Sequence, residues 1–100
     1  AGGSTGGAMA GGTTDPMTLF RLGGCVGCHK LGAEGGVVGP DLTHVGARLS
    51  ANAIRQAILE PDATITKGYE KFAGIMPKTF GDQMLAKQLE ALVRFLAAQQ

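Results

Sequence analysis

Cys25-Val26-Gly27-Cys28-His29 decides how the rest of the chain is read, because it holds both cysteines and one of the two histidines among 100 residues. The C-x-x-C-H spacing is that of covalent haem attachment. Two thiols three residues apart in a short helical turn can each add across one vinyl group of a porphyrin, and the next residue places an imidazole under the iron. Other chemistries fit less well. Structural zinc needs four ligands, and here only His29 and His44 could join the cysteines, without the H-x(3–5)-H spacing. A thioredoxin-like pair needs a βαβ context that this chain does not spell. A lone disulfide leaves the histidine unexplained.

Working outward, the composition asks for such a group. The chain has 17 glycines, no tryptophan and five aromatic residues (Phe20, Tyr69, Phe72, Phe80, Phe95), so large side chains cannot fill much of a core. Yet 44% of residues are hydrophobic and the mean hydropathy is +0.11, which excludes disorder over most of the length. Short helices and long glycine-rich loops are marginal unless a cross-link, metal or cofactor joins the core. No run of about eighteen apolar residues spans a bilayer, and no basic-then-apolar start reads as a signal peptide, so a soluble domain is expected. The formal charge of +1 is dispersed along the chain, which argues against nucleic acid as a partner.

Residues 1–14 contain only Ala, Gly, Ser, Thr and Met9, and are expected to form a flexible linker, with the folded domain covering residues 15–100. Asp15-Pro16 is a helix start, and Gly23-Gly24 is its end. The stretch from Leu31 toward Arg48 reads as loop. Ser50 caps a second helix carrying Ile54, Ala57 and Ile58, which Pro61 stops. Asp62 to Phe80 shows no period and reads as a long loop. Leu85, Leu89, Leu92, Val93 and Leu96 form the stripe of a last amphipathic helix, which starts at either Asp82 or Leu85-Ala86. The expected class is all-α, with three to four short helices.

These landmarks resemble the monohaem class I cytochromes c over roughly residues 15 to 98. Leu19-Phe20 precedes the C-x-x-C-H motif, Gly39-Pro40-Asp41-Leu42 and Gly74-Ile75-Met76-Pro77 follow in order, and the amphipathic helix comes last. The resemblance implies a class I fold around one haem c, attached through Cys25 and Cys28. The first and last helices would cross, with Phe20 near Leu92, Val93 or Leu96. It also implies His29 as proximal ligand, with the Pro40 carbonyl accepting its other ring N–H. For the sixth ligand the candidates are Met9, Met17, Met76, Met84 and His44. Met76 is favoured because it lies in an irregular stretch stiffened by Pro77 and matches the family's landmark. His44 would otherwise be a loop histidine, exposed or bonded to a propionate. Arg48 and Tyr69 are candidate propionate contacts, and Phe72 and Phe80 are candidate pocket walls.

A His/Met iron has no open position, so the resemblance implies a one-electron carrier and no enzyme. The alternative is a haem-based ligand sensor or peroxidase-like enzyme in which Met76 dissociates. The family resemblance also implies a periplasmic site or the outer face of the cytoplasmic membrane, between a quinol-oxidising complex and a haem-copper oxidase. The glycine-rich segment suits a monomeric domain tethered to the membrane. Lys30, Lys67, Lys71 and Lys78 cluster in sequence near the two axial positions, but Glu34, Asp62, Glu70 and Asp82 are interleaved with them. A weak, partly apolar encounter with partners is therefore expected.

Overall fold

The computed structural model describes residues 9–100. Among them six helical segments occur and no strand, only an isolated bridge between Leu31 and Glu34. The architecture is the all-α one expected, but the helix count is higher, because three of the six segments are single turns. In chain order the helices are α1 (Pro16–Leu22), α2 (Cys25–Cys28), α3 (Val45–Arg48), α4 (Ala51–Leu59), α5 (Phe80–Gln83) and α6 (Ala86–Ala97). Short 3-10 turns cover Met9–Gly12 and Glu70–Phe72. No helix among the described residues is long and apolar enough to cross a membrane.

The longer helices start where their caps dictate. The Asp15 carboxylate accepts the Thr18 N–H at 3.0 Å, and Pro16 occupies the first turn, where its missing N–H costs nothing. The Ser50 hydroxyl accepts the Ala53 N–H at 3.1 Å and opens α4. The last helix begins at Ala86, so Leu85 is its cap and Asp82 belongs to α5. With no oxygen on the Leu85 side chain, the start of α6 is organised from the other direction. Gln88 Oε1 accepts the Leu85 N–H at 2.9 Å, and Gln88 Nε2 donates to the Thr13 carbonyl at 2.9 Å. Gln88 is fully buried, a burial that an amide tolerates only when it is hydrogen-bonded.

The core lies where α1, α3 and α4 meet α6. Leu19 and Phe20 of α1, Val45 of α3, Ile54 and Ile58 of α4, and Leu92, Val93 and Leu96 of α6 are all buried, with Phe80 and Met84 closing one side. The α6 stripe thus faces inward from Leu89 onward, while Leu85 stands outside the helix and is exposed. Arg55 on α4 and Glu90 on α6 form a two-point ion pair, Nε to Oε2 at 2.7 Å and Nη2 to Oε1 at 2.6 Å. That pairing holds the Glu90 carboxyl below the usual carboxylate range.

The crossing of α3 and α6 is close enough to need a glycine. A Cβ on Gly46 would collide with the carbonyl oxygen of Ala97, and the Gly46 N–H donates to the Gln99 carbonyl at 2.7 Å. Both neighbours are backbone, so neither can swing aside. Gly46→Ala is expected to cost about 1–3 kcal/mol as overpacking, lowering the unfolding midpoint by roughly 5–20 °C. A midpoint unchanged in a thermal scan would show that α6 does not end on α3.

Of the segment expected to be a linker, residues 1–8 lie outside the described residues. Its remaining part enters the fold at Thr13, through the carbonyl that Gln88 binds and the hydroxyl that accepts the Asp15 N–H at 3.1 Å.

Candidate haem site

Between Pro61 and Phe80 no residue is buried, although the segment carries Ile65, Tyr69, Phe72, Ile75 and Met76. A loop with so many apolar side chains and no core of its own must turn them toward a shared space. That space is a cavity of about 410 Å³. The loop forms one part of its wall, and α2, residues of the Val38 to Leu42 segment, α3, α4, Phe80 of α5 and Leu96 of α6 line other parts.

His29 sits at the end of α2, half-buried. Its Nδ1–H donates to the Pro40 carbonyl at 2.8 Å, which fixes the tautomer and leaves Nε2 as the ring nitrogen with a lone pair to offer. Burial first, and the Arg48 charge in addition, hold its pKa below the ordinary histidine value against the opposing pull of Pro40. The neutral form, the one that ligates metal, is therefore favoured. Gly39 makes room for the ring: a Cβ there would lie 2.5 Å from His29 Cε1 and 2.7 Å from Nδ1. The segment around it is fastened to α2 by backbone bonds, Gly39 N–H to the Cys28 carbonyl at 2.8 Å and Gly36 N–H to the Val26 carbonyl at 3.0 Å. Gly36 itself could hold no side chain, because its Cβ would meet the Gly27 carbonyl.

Cys25 and Cys28 are unpaired thiols on the same wall, and no disulfide joins them. Burial pushes the Cys25 thiol up to about 11, so it stays protonated at neutral pH. No group of three or more His, Cys, Asp or Glu side chains among the described residues could hold a bare metal ion. The zinc reading of the motif therefore has no supporting cluster.

Cys25, Cys28, His29, Pro40 and Met76 all line the one cavity. Met76 is half-buried and packs against the core cluster. Of the competing sixth-ligand candidates, the Met9 side chain lies outside what is described, and the others lie elsewhere. Met84 is buried in the core, Met17 packs against it from α1, and neither lines the cavity. His44 is exposed, and its Nδ1 lies 3.1 Å from the Gln100 carbonyl. Arg48, Tyr69, Phe72 and Phe80 all reach the wall. Arg48 is the only Lys or Arg among the lining residues, and its Nη2 donates to the Asp41 carbonyl at 3.2 Å.

In the sequence Asp62 stands only among the acidic residues interleaved with the lysines, yet it is the one carboxylate on the wall. Its Oδ1 accepts the Gly74 N–H at 2.9 Å, and its Oδ2 lies 3.2 Å from Lys78 Nζ. These two contacts, the backbone bond first, hold its pKa below the usual carboxylate range. The partners stand 12 and 16 positions away along the chain, outside any helical or strand period.

A porphyrin suits this wall. Leu42, Val45, Ile54, Ile58, Phe80 and Leu96 give it an apolar interior, glycines bring backbone close to the imidazole, and the two thiols, one imidazole and one thioether on it match the attachment and ligation a haem c needs. The family model described as Cytochrome c matches residues 17–100. Searches of curated proteins and of solved structures gave no significant match.

Proposed function

The chain belongs to the cytochrome c family, and from that premise we propose that it is a one-electron carrier whose haem iron is held between His29 and Met76. Membership brings a covalently attached haem c, with Cys25 and Cys28 as the two thioether positions, and the role of a haem-based electron carrier. When bound, the iron supplies a couple that changes by a single electron. The observation that carries the ligation is the cavity wall itself, on which His29, its Nδ1 spent on Pro40, and Met76 are brought together from distant parts of the chain.

Each residue then has a task. Pro40 orients the imidazole and raises its basicity as a ligand. Met76 would supply a neutral thioether, a ligand that favours a low-spin iron and a higher potential than a second histidine would. The aliphatic wall keeps water out. Arg48 and Tyr69 are the polar groups suited to receive the propionates. If His29 and Met76 both held the iron, the protein would leave no position for a substrate, which speaks for a carrier and against catalysis.

The mouth of the cavity supports a weak and partly apolar encounter with redox partners. Ile75 and Val38 line it and are 54% and 37% exposed, and neighbouring Val37 is 79% exposed. Lys78 is paired with Asp62, and Lys71 Nζ lies 5.3 Å from the centre of the Phe72 ring. Transient contacts of this kind bury little area. As partners we propose a quinol-oxidising complex and a haem-copper oxidase, met in the periplasm or at the outer face of the membrane. The glycine-rich stretch before Thr13 would serve as the tether.

Optical spectroscopy of the haem-loaded protein tests the ligation. The oxidised form should show a thioether-to-iron charge-transfer band, and the reduced form should refuse carbon monoxide at neutral pH. Absence of the band, or ready binding of carbon monoxide, would transfer support to a ligand sensor or peroxidase-like enzyme.

A further inference from the structure

We propose that Asp62 is a positioning residue for Met76, holding the ligand loop shut by gripping it on both sides of the thioether; the inference rests on the His29 and Met76 ligation proposed above.

Asp62 follows Pro61, which is buried at the foot of α4, and the turn between them is closed by the Ala63 N–H on the Glu60 carbonyl at 3.0 Å. The carboxylate is thereby mounted on the helix that packs against α6. Its two oxygens are shared out. One takes the backbone N–H of Gly74, two residues before Met76, and the other faces the ammonium of Lys78, two residues after it. Gly74 has φ of 84°, a conformation that side chains resist, and this turn aims its N–H outward at the carboxylate. Pro77 stiffens the path between the thioether and the second grip. No other hydrogen bond or ion pair among the described residues ties residues 73–78 to the body of the fold. No residue of the loop is fully buried, so these two contacts act with the packing of Met76 against the core to set how often it swings away from the pocket.

Titration of the oxidised, haem-loaded protein with imidazole reads that opening, since imidazole can take the sixth position only while Met76 is off. Asp62→Ala is expected to tighten apparent imidazole binding about tenfold, the effect of losing a charged acceptor from a backbone N–H. Asp62→Asn and Lys78→Gln, which remove only the ion pair, should each tighten it about threefold. In a Met76→Ala background, Asp62→Ala should make no difference. Unchanged binding in Asp62→Ala, in a protein that shows the thioether band, overturns the clamp and leaves the ligation standing. An effect that persists without Met76 also overturns it, because Asp62 would then act on the pocket. If the parent protein lacks the band and Met76→Ala leaves imidazole affinity unchanged, the ligation itself fails, and the clamp with it.

Discussion

Met76→Ala should leave the haem attached through Cys25 and Cys28, lower the reduction potential, and let the reduced protein bind carbon monoxide at neutral pH. The potential falls because a thioether favours the reduced iron over water or a second nitrogen ligand. A drop on the order of 0.1–0.2 V is expected, a fraction of the roughly 0.8 V range over which axial ligands set haem potentials. The substitution should not disturb the fold, since Met76 is only half-buried and lies on a loop away from the crossing of α1 and α6. Redox titration with carbon monoxide binding as a second reading checks this. A potential that does not move, in a variant that still excludes carbon monoxide, would mean that another side chain holds the sixth position.

Replacing both Cys25 and Cys28 by alanine should have the larger effect, abolishing covalent attachment and most of the helical circular dichroism. The reason lies in the distribution of burial. Two aromatic side chains, Phe20 and Phe80, are buried, α2 buries nothing, and nothing between residues 62 and 79 is buried. The apolar residues of that long loop pack on the cavity. Without a covalently held group there, they face water, and a domain whose whole stability is about 5–15 kcal/mol has little to lose. Denaturing electrophoresis with haem staining and far-ultraviolet circular dichroism measure the two losses. Cooperative unfolding with a helical signal retained would show that α1, α4 and α6 suffice by themselves.

The parts of the fold that could be read beforehand are those with a local chemical cause. Asp15 and Ser50 each accept a backbone N–H three residues on, and the stripe from Leu89 to Leu96 repeats at the helical period, so α1, α4 and most of α6 were legible. The single turns α3 and α5 were not, because four residues give a period nothing to repeat over, and Val45 and Phe80 are buried by partners far along the chain. The start of α6 stayed open between Asp82 and Leu85-Ala86 for a specific reason, and the structure settles it on the second. Asp82 has the chemistry of a cap, but the Leu85 N–H is met by Gln88 from inside the helix. At the site, the cysteines and His29 announce themselves through spacing, and the Pro40 bond follows from the resemblance. Asp62 does not, for its partners are a backbone N–H and a lysine that the three-dimensional path alone brings near.

The contacts around His29 also differ in how much chain each must close. Those that organise its surroundings are short in sequence: His29 to Pro40 spans 11 positions, Gly32 to Thr43 spans 11, and Arg21 to Glu34 spans 13. The bond from Gln88 to Thr13, which draws the two ends of the domain together, spans 75. Closing the longer loop costs about 1.7 kcal/mol more in chain entropy than closing the shorter ones. The contacts around the attachment motif therefore close at lower entropic cost than the one that seats α6 against the start of the domain.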